Sequence, residues 1–329
     1  MDVLADVLAA LRAGTPVAAH TEAHAPWGLR FDHTTGAAFH VVLQGTCWLT
    51  PLPGDVAFEP VELGPGDVVL LGRGVPHAMA STPGTPLTDF RPTRPSATTP
   101  FGRVSLPGPG ARATVVCGAY RLRRHRPHPL LRDLPEVVHL PAVPGRHPGL
   151  RAMVQLLGDE LAGHPPGAAV VAPSLVDALL VYMLRAWLSE TAGSPGWSGA
   201  LADPVTARAL DAIHGDPARA WTVEQLGAAA GLSRAAFARR FTSLVGEPPL
   251  TYLTRWRMTT AARLLRESDR PVAQVAAAVG YGSAFAFAKA FRREYATTPG
   301  GYRGASAEVH LDVRVEGPQE VGRVEDLAR

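Results

Sequence analysis

The chain has 329 residues, 46% of them hydrophobic and 19% charged, with a formal net charge of +3. That length suits two domains, and that balance excludes an intrinsically disordered or low-complexity protein. The two cysteines, without CxxC or Cys/His zinc spacing, exclude a disulfide-stapled scaffold and a zinc module.

The charge is unevenly spread. Residues 1–200 carry 15 Arg against 15 Asp or Glu, residues 201–303 carry 14 Lys or Arg against 8 Asp or Glu, and residues 304–329 carry 3 Arg against 6 Asp or Glu. The basic surplus falls on the last third, where a phosphate-binding module would need it, although the surplus is modest. Arg supplies all but one of the basic residues, and with the high Ala, Gly and Pro content this reflects a GC-rich genome. The single Lys is Lys289.

The first 14 residues (MDVLADVLAALRAG) form an amphipathic pattern with no positively charged leader, so a signal peptide is not expected and the cytoplasm is. From Trp27 to about Leu140, short β-rich runs (WGLRF, AFHVVLQGTCWLT, DVVLLG, ATVVCGAYRL, EVVHL) alternate with Pro/Gly turns. That spacing predicts an antiparallel sandwich or barrel. The Pro-, Thr- and Arg-rich stretch 83–110 reads as a loop.

Past Pro144 the pattern turns helical, over about 149–163 and 172–190. The apolar window 168–184 is interrupted by Pro173, Ser174 and Asp177, which argues against a membrane span. Its wide apolar face (Leu175, Val176, Leu179, Leu180, Met183, Leu184, Trp187, Leu188) predicts burial against the other helix or a dimer interface. Residues 191–199 (TAGSPGWSG) read as a linker.

Two helix-turn-helix patterns then follow, TVEQLGAAAG–LSRAAFARRFTSLVG from Thr222 and PVAQVAAAVG–YGSAFAFAKAFRREY from Pro271. In the first, Phe237, Phe241 and Leu244 recur at core spacing, while Arg234, Ala235, Ala238 and Arg239 share the other face behind Ser233 as N-cap. Arg239 can fork onto guanine O6 and N7, and the two alanines let a helix approach a thymine methyl. In the second, Phe287, Phe291 and Tyr295 form the core stripe, and Phe285, Lys289 and Arg292 form another behind Ser283. Phe285 either meets a base methyl or packs on a neighbouring helix. The arginines either contact DNA or form a solvated face, the latter more so for Arg240 and Arg293. The intervening helix, about 249–266, would be roughly 27 Å long, near the repeat of grooves on one DNA face.

Residues 205–303 resemble the DNA-binding domain of the AraC/XylS regulators. The resemblance rests on Leu226, Gly231, Leu232, Ser233, Phe241, Gly246, Pro248, Arg257, Ala261, Leu264, Leu265, Val272, Val275, Ala276, Gly280, Tyr281, Ser283, Phe287, Phe291, Pro299, Tyr302 and Arg303. It implies that Ala235, Ala238, Arg239, Ala284, Phe285 and Lys289 occupy base-reading positions. Gly227 departs from the family's usual Ala, and Ala296 from its usual Gly. If position 296 is left-handed, Ala there costs about 1 kcal/mol.

Residues 27–90 resemble the cupin-type sensory domain of one branch of these regulators, through FHVVLQG (39–45) and GDVVLLGRGVPH (66–77). Metal-dependent cupins use a His-x-His pair and a Glu in the first motif. Here His40 lacks its partner and Ala38 stands where the Glu is expected, so a metal-dependent enzyme is disfavoured. Strand alternation places Ala38, His40 and Val42 on one face. With Trp27, Arg30, Trp48 and His77, His40 is a candidate for an effector pocket, Arg30 suiting an anionic effector. Cys47 and Cys117 are either inert small hydrophobes or a redox pair, which would need exposure and a lowered pKa, with Arg121, Arg123 and Arg124 near Cys117 in sequence. His125 and His128 lie in a basic run read as a solvated loop.

The expected protein is an α+β, two-domain transcription regulator. A cupin-like β-barrel or sandwich (1–144) leads through a helical dimerisation segment and linker (145–200) to an all-α double helix-turn-helix domain (201–304) and a polar tail (305–329). Its expected partners are promoter DNA, a small-molecule effector, RNA polymerase and a second copy of itself, with no cofactor, metal, catalytic residue or membrane. The alternatives are a redox-sensing regulator acting through Cys47 and Cys117, and a metal-dependent cupin enzyme.

Overall fold

The computed structural model describes residues 2–11, 16–34, 36–95, 101–122, 128–163 and 165–304. The chain divides into two compact units. One comprises residues 7–207 with 240–246, and the other residues 1–6 and 208–239 together with the chain from Glu247 onward.

A short helix, α1 (Val3–Leu11), precedes the strands β1 (Val17–His24), β2 (Gly28–Phe31), β3 (Ala37–Gln44), β4 (Cys47–Pro51), β5 (Val61–Leu63), β6 (Val68–Leu71), β7 (His77–Ala80), β8 (Thr88–Asp89), β9 (Gly102–Leu106) and β10 (Arg112–Tyr120). A one-turn helix α2 (Pro129–Asp133) and strand β11 (Val138–Leu140) follow. The strands form two sheets, ordered β11-β6-β3-β10-β1-β9 and β5-β4-β7-β2-β8. Residues from both sheets share one apolar core, among them Leu29, Val42, Leu49, Leu63, Leu71, Met79 and Val115. This is a sandwich rather than a closed barrel.

Two pairings depart from the antiparallel expectation. β9 runs parallel to β1, and β8 runs parallel to β2. Both lie in the Pro-rich stretch read from sequence as loop, and each is an edge strand, where prolines are tolerated because one row of backbone donors needs no partner. β1 also escaped the sequence reading. Its polar residues His20, Glu22 and His24 alternate with Ala19, Thr21 and Ala23, and the small inward side chains give little hydrophobic signal.

The helical hairpin α3 (Pro148–Gly163) and α4 (Ala168–Glu190) belongs to this same unit, beside β11 and β3. α4 is the one helix among the described residues long and apolar enough to cross a membrane. Its buried stripe of Val176, Leu179, Leu180, Met183, Leu184 and Trp187 is used instead inside the unit, and the Tyr120 hydroxyl donates to the Val176 carbonyl at 2.7 Å. The stretch read as a linker is packed: Trp197 is fully buried at the start of α5 (Trp197–Ala202), and its backbone N–H donates to Asp133 at 2.7 Å. His128, read as part of a solvated run, is buried and caps α2 through Nδ1, accepting from the Leu130 N–H. Arg123, Arg124, His125 and the tail 305–329 lie outside the described residues.

The remaining helices are α6 (Pro204–Gly215), α7 (Val223–Ala229), α8 (Arg234–Val245), α9 (Pro249–Glu267), α10 (Val272–Ala278) and α11 (Ala284–Tyr295). α9 has 19 residues, or about 28 Å at 1.5 Å per residue. Arg257 fixes its first half by donating to the carbonyls of Pro217 and Arg219 at 2.7 and 2.8 Å. Around its second half, Met258, Ala261 and Leu265 bury against Val275, Val279, Phe287 and Phe291.

Candidate DNA interface and ligand-sensing region

The two helix-turn-helix turns are built alike. After α7, Gly231 takes φ +76°, its N–H donates to the Ala228 carbonyl, and the Leu232 N–H donates back to Gly227. After α10, Gly280 takes φ +80°, its N–H donates to Ala277, and the Tyr281 N–H donates back to Ala276. These paired bonds satisfy the last carbonyls of each first helix and turn the chain sharply into the next one. Ser233 and Ser283 then cap α8 and α11, accepting from the N–H groups of Ala236 and Ala286 at 3.4 Å.

That geometry divides each second helix into two faces. Phe237, Phe241, Phe287 and Phe291 are fully buried. Ser233, Arg234, Ala235, Arg239, Ser283, Ala284, Phe285, Lys289 and Arg292 are exposed, and Ala238 is half-buried. The alternative left open for Phe285, packing on a neighbouring helix, is ruled out by its 81% exposure. Arg240 is different from its neighbours. It donates to Asp203 and holds that carboxyl down at about 2.

The five pocket candidates do not converge. The partners Trp48↔Ala80↔Gly28 and Arg30↔Ala78 place Trp48 and Arg30 on the face of their sheet opposite Leu29, Leu49 and Met79. There Arg30 is exposed and donates to Asp89 at 2.7 Å. Trp27, His40 and His77 are buried. The imidazoles of His40 and His77 meet at 2.7 Å through their Nε2 atoms, and Phe31 stacks on His77. His77 Nδ1 lies 2.8 Å from the Val75 carbonyl, which can only accept, so His77 carries its proton there and its Nε2 accepts from His40. Burial holds both rings neutral: it lowers His77 to about 4 against the opposing Val75 bond, and it lowers His40 well below its ordinary value, helped by His77.

The residues around the pair do not fit a cupin metal centre. Two imidazoles are present, and no group of three His, Cys, Asp or Glu gathers among the described residues. The cysteines sit in the same apolar core. Burial pushes the Cys47 thiol up to about 12 and raises Cys117 as well, with Thr21 donating a weak bond to the Cys117 sulfur. A redox switch needs the opposite, an accessible thiolate.

A cavity of about 550 Å³ in the sheet unit lies elsewhere, between the outer face of the six-stranded sheet and α3. None of the five pocket candidates lines it. Sequence reasoning missed it because part of its floor comes from β1 and β9, neither of which carries a clear strand signal, and because no local pattern shows where α3 crosses the sheet.

Known proteins carry both halves of this architecture. Residues 2–189 match the Cupin family, and residues 226–305 match the helix-turn-helix domain family. An AraC-like transcription regulator of Streptomyces antibioticus is 36% identical over 308 residues, 92% of this chain and 98% of its own. The transcriptional regulator AlkR of Acinetobacter baylyi is 27% identical over 316 residues, 93% of this chain and 100% of its own. Among solved structures, the DNA-binding domain of the global transcriptional factor AdpA, in complex with a target DNA, is 36% identical, covers 35% of this chain and 99% of that one, and has a TM-score of 0.31. With a cupin domain before a DNA-binding helix-turn-helix domain, and relatives that are regulators rather than enzymes, this chain belongs to the AraC-like family of transcription regulators.

Proposed function

We propose that the protein reads an asymmetric promoter site with α8 and α11 and that a small-molecule effector held by the sheet unit controls that binding. The carrying observation is the exposed face of the two helices. Arg234, Arg239, Lys289 and Arg292 have no ion-pair partner among the described residues, and Phe285 stands out at 81% exposure. Unpaired cations beside capped helix N-termini suit phosphates and guanine edges, and an exposed aromatic suits a thymine methyl. Ser233 and Ser283 position backbone N–H groups toward phosphate, and Ala235, Ala238 and Ala284 keep the helix surface low enough for close approach.

The effector acts by favouring one arrangement of the regulator over another. A redox signal through Cys47 and Cys117 gains no support from two buried, protonated thiols. The cytoplasm is the compartment this function requires, with RNA polymerase as the downstream partner. A homodimer through the α3–α4 hairpin is consistent with Leu156 and Val170, exposed at 51% and 72%.

A footprint and salt titration on DNA upstream of the protein's own and neighbouring genes tests the reading. The expected result is a protected stretch of about two helical turns per monomer, with strongly salt-dependent affinity. Arg239→Ala and Lys289→Ala should weaken specific binding more than non-specific binding. Unchanged footprints in both variants would remove the base-reading assignment.

A further inference from the structure

The cavity between the six-stranded sheet and α3 originates in a register fault. Val42 faces Val115 and Gln44 faces Thr114, so Leu43 is the extra residue of a bulge in β3. A bulge twists and splays its strand, here at the point where α3 crosses the sheet. On α3, Arg151, Gln155, Gly158 and Ala162 follow one another at helical spacing and face the gap, with Val154 and Leu161 buried beside them. Gly158 leaves the gap open: a Cβ there would meet only a Leu43 methyl, at 3.5 Å.

The floor of the cavity is polar. Antiparallel register places Glu22 and Gln44 on either side of Thr114, and parallel register places Arg103 beside His20. Thr114 is 6% exposed, lines the cavity, and its hydroxyl has no hydrogen-bond partner. Buried hydroxyls in native proteins nearly always have one, and at this position a water or a ligand in the cavity can supply it. Three guanidiniums, Arg103, Arg112 and Arg151, stand around the rim against two carboxylates, Glu22 and Asp159. Glu22 is engaged by Arg112 at 3.1 Å and Asp159 by the Gln155 amide at 3.0 Å. The positive surplus and the apolar walls of Leu43, Val154 and Leu161 define complementary chemistry. The volume is in the range of small-ligand sites.

We infer that this cavity binds a small organic anion, an acidic group on an apolar body, with Thr114 as its buried hydrogen-bonding contact. The inference rests on the proposed role of the sheet unit as an effector sensor and moves the site from the packed interior to the sheet's outer face.

The test uses the full chain and 8-anilinonaphthalene-1-sulfonate, an apolar ring system bearing one anionic group, followed by fluorescence and by the methyl NMR signals of Leu43, Val154 and Leu161. Saturable binding at one site with shifts in the methyls of those three residues is expected. Gly158→Leu should abolish it by filling the cavity. Arg151→Gln, an exposed change that leaves folding intact, should raise Kd by about tenfold, as the loss of one charge-assisted contact would. Thr114→Val should weaken binding while raising the melting temperature of the free protein. Wild-type binding that is absent, or that survives both Gly158→Leu and Arg151→Gln unchanged, overturns the inference. The DNA footprint of the same wild-type sample is read without the probe, so a ligand site without a footprint sinks the promoter-reading proposal alone, and a footprint without a ligand site sinks this one alone.

Discussion

The two helix-turn-helix units repeat the same turn, the same serine cap and the same pair of buried phenylalanines, yet they end differently. α8 is followed by Gly246 at φ +79°, whereas the corresponding position after α11 is Ala296 at φ +57°. Their first helices differ too. α7 begins with a reciprocal cap between Thr222 and Gln225 and carries Gly227 where α10 carries Ala276. The first unit is therefore well capped but offers arginines to solvent, and the second tolerates a strained end while presenting Phe285 and Lys289. The common parts are those that backbone hydrogen bonding and core filling demand; the differing parts lie on the exposed face and at the helix ends, where sequence is free to specialise.

The largest effect should come from breaking the shared part. Phe287→Ala empties a fully buried ring and should destabilise the second unit by about 3–5 kcal/mol, read as a lowered urea midpoint. The half of the footprint read by α11 should vanish with it.

Acid should separate the two units. His214, hydrogen-bonded to the Tyr252 hydroxyl at 2.7 Å, stacked on Trp256 and with its Nδ1 3.4 Å from the Asp6 carboxylate, supports the first half of α9. Burial lowers its pKa to about 3. The unfolded chain binds this proton near pH 6.5 and the folded chain does not, so stability is complete above that pH. It falls as pH drops toward 3, with a slope of up to about 1.4 kcal/mol per unit. Amide exchange should accelerate around Tyr252 before it does around Phe291, and simultaneous acceleration would contradict this ordering.

Arg239→Ala should reduce discrimination at its base by about 1–3 kcal/mol in a competition assay. Phe285→Ala should act on a different base, through lost methyl contact. The smallest change is also the most diagnostic. Ala296→Gly should stabilise the protein by about 1 kcal/mol, since Ala alone pays the left-handed steric penalty there. Equal melting temperatures for Ala296→Gly and wild type would show that the strain is relieved elsewhere.

The helical third was legible because its signals are local. Gly231, Gly280, Ser233 and Ser283 specify turns and caps by their own chemistry, and phenylalanines at helical spacing specify the buried face. Even at 296, Ala in place of the family's usual Gly implies a strained helix end if that position is left-handed, and its φ is +57°. The sheet unit was legible where strands are apolar, as in Val68–Leu71, and illegible where pairing is long-range. Neither β8 nor β9 has a period that announces a parallel partner. The fates of Arg30 and Trp48 depended on which face of β2 and β4 turned inward, and Phe31, Leu29 and Leu49 decided that jointly. The cavity above Thr114 needed a bulge, a helix crossing and a missing side chain at Gly158 together, which no single stretch of sequence contains.

The imidazole pair has one further consequence. His40 belongs to one sheet and His77 to the other, and the bond joining them has a grain: the proton points from β3 toward β7 because Val75 has already claimed the far nitrogen of His77. Reversal would require both rings to exchange tautomers in concert and Val75 to lose its donor. The interior of the sandwich thus carries a fixed electrical orientation, and nitrogen NMR should find two neutral histidines of opposite tautomer facing one another across the seam.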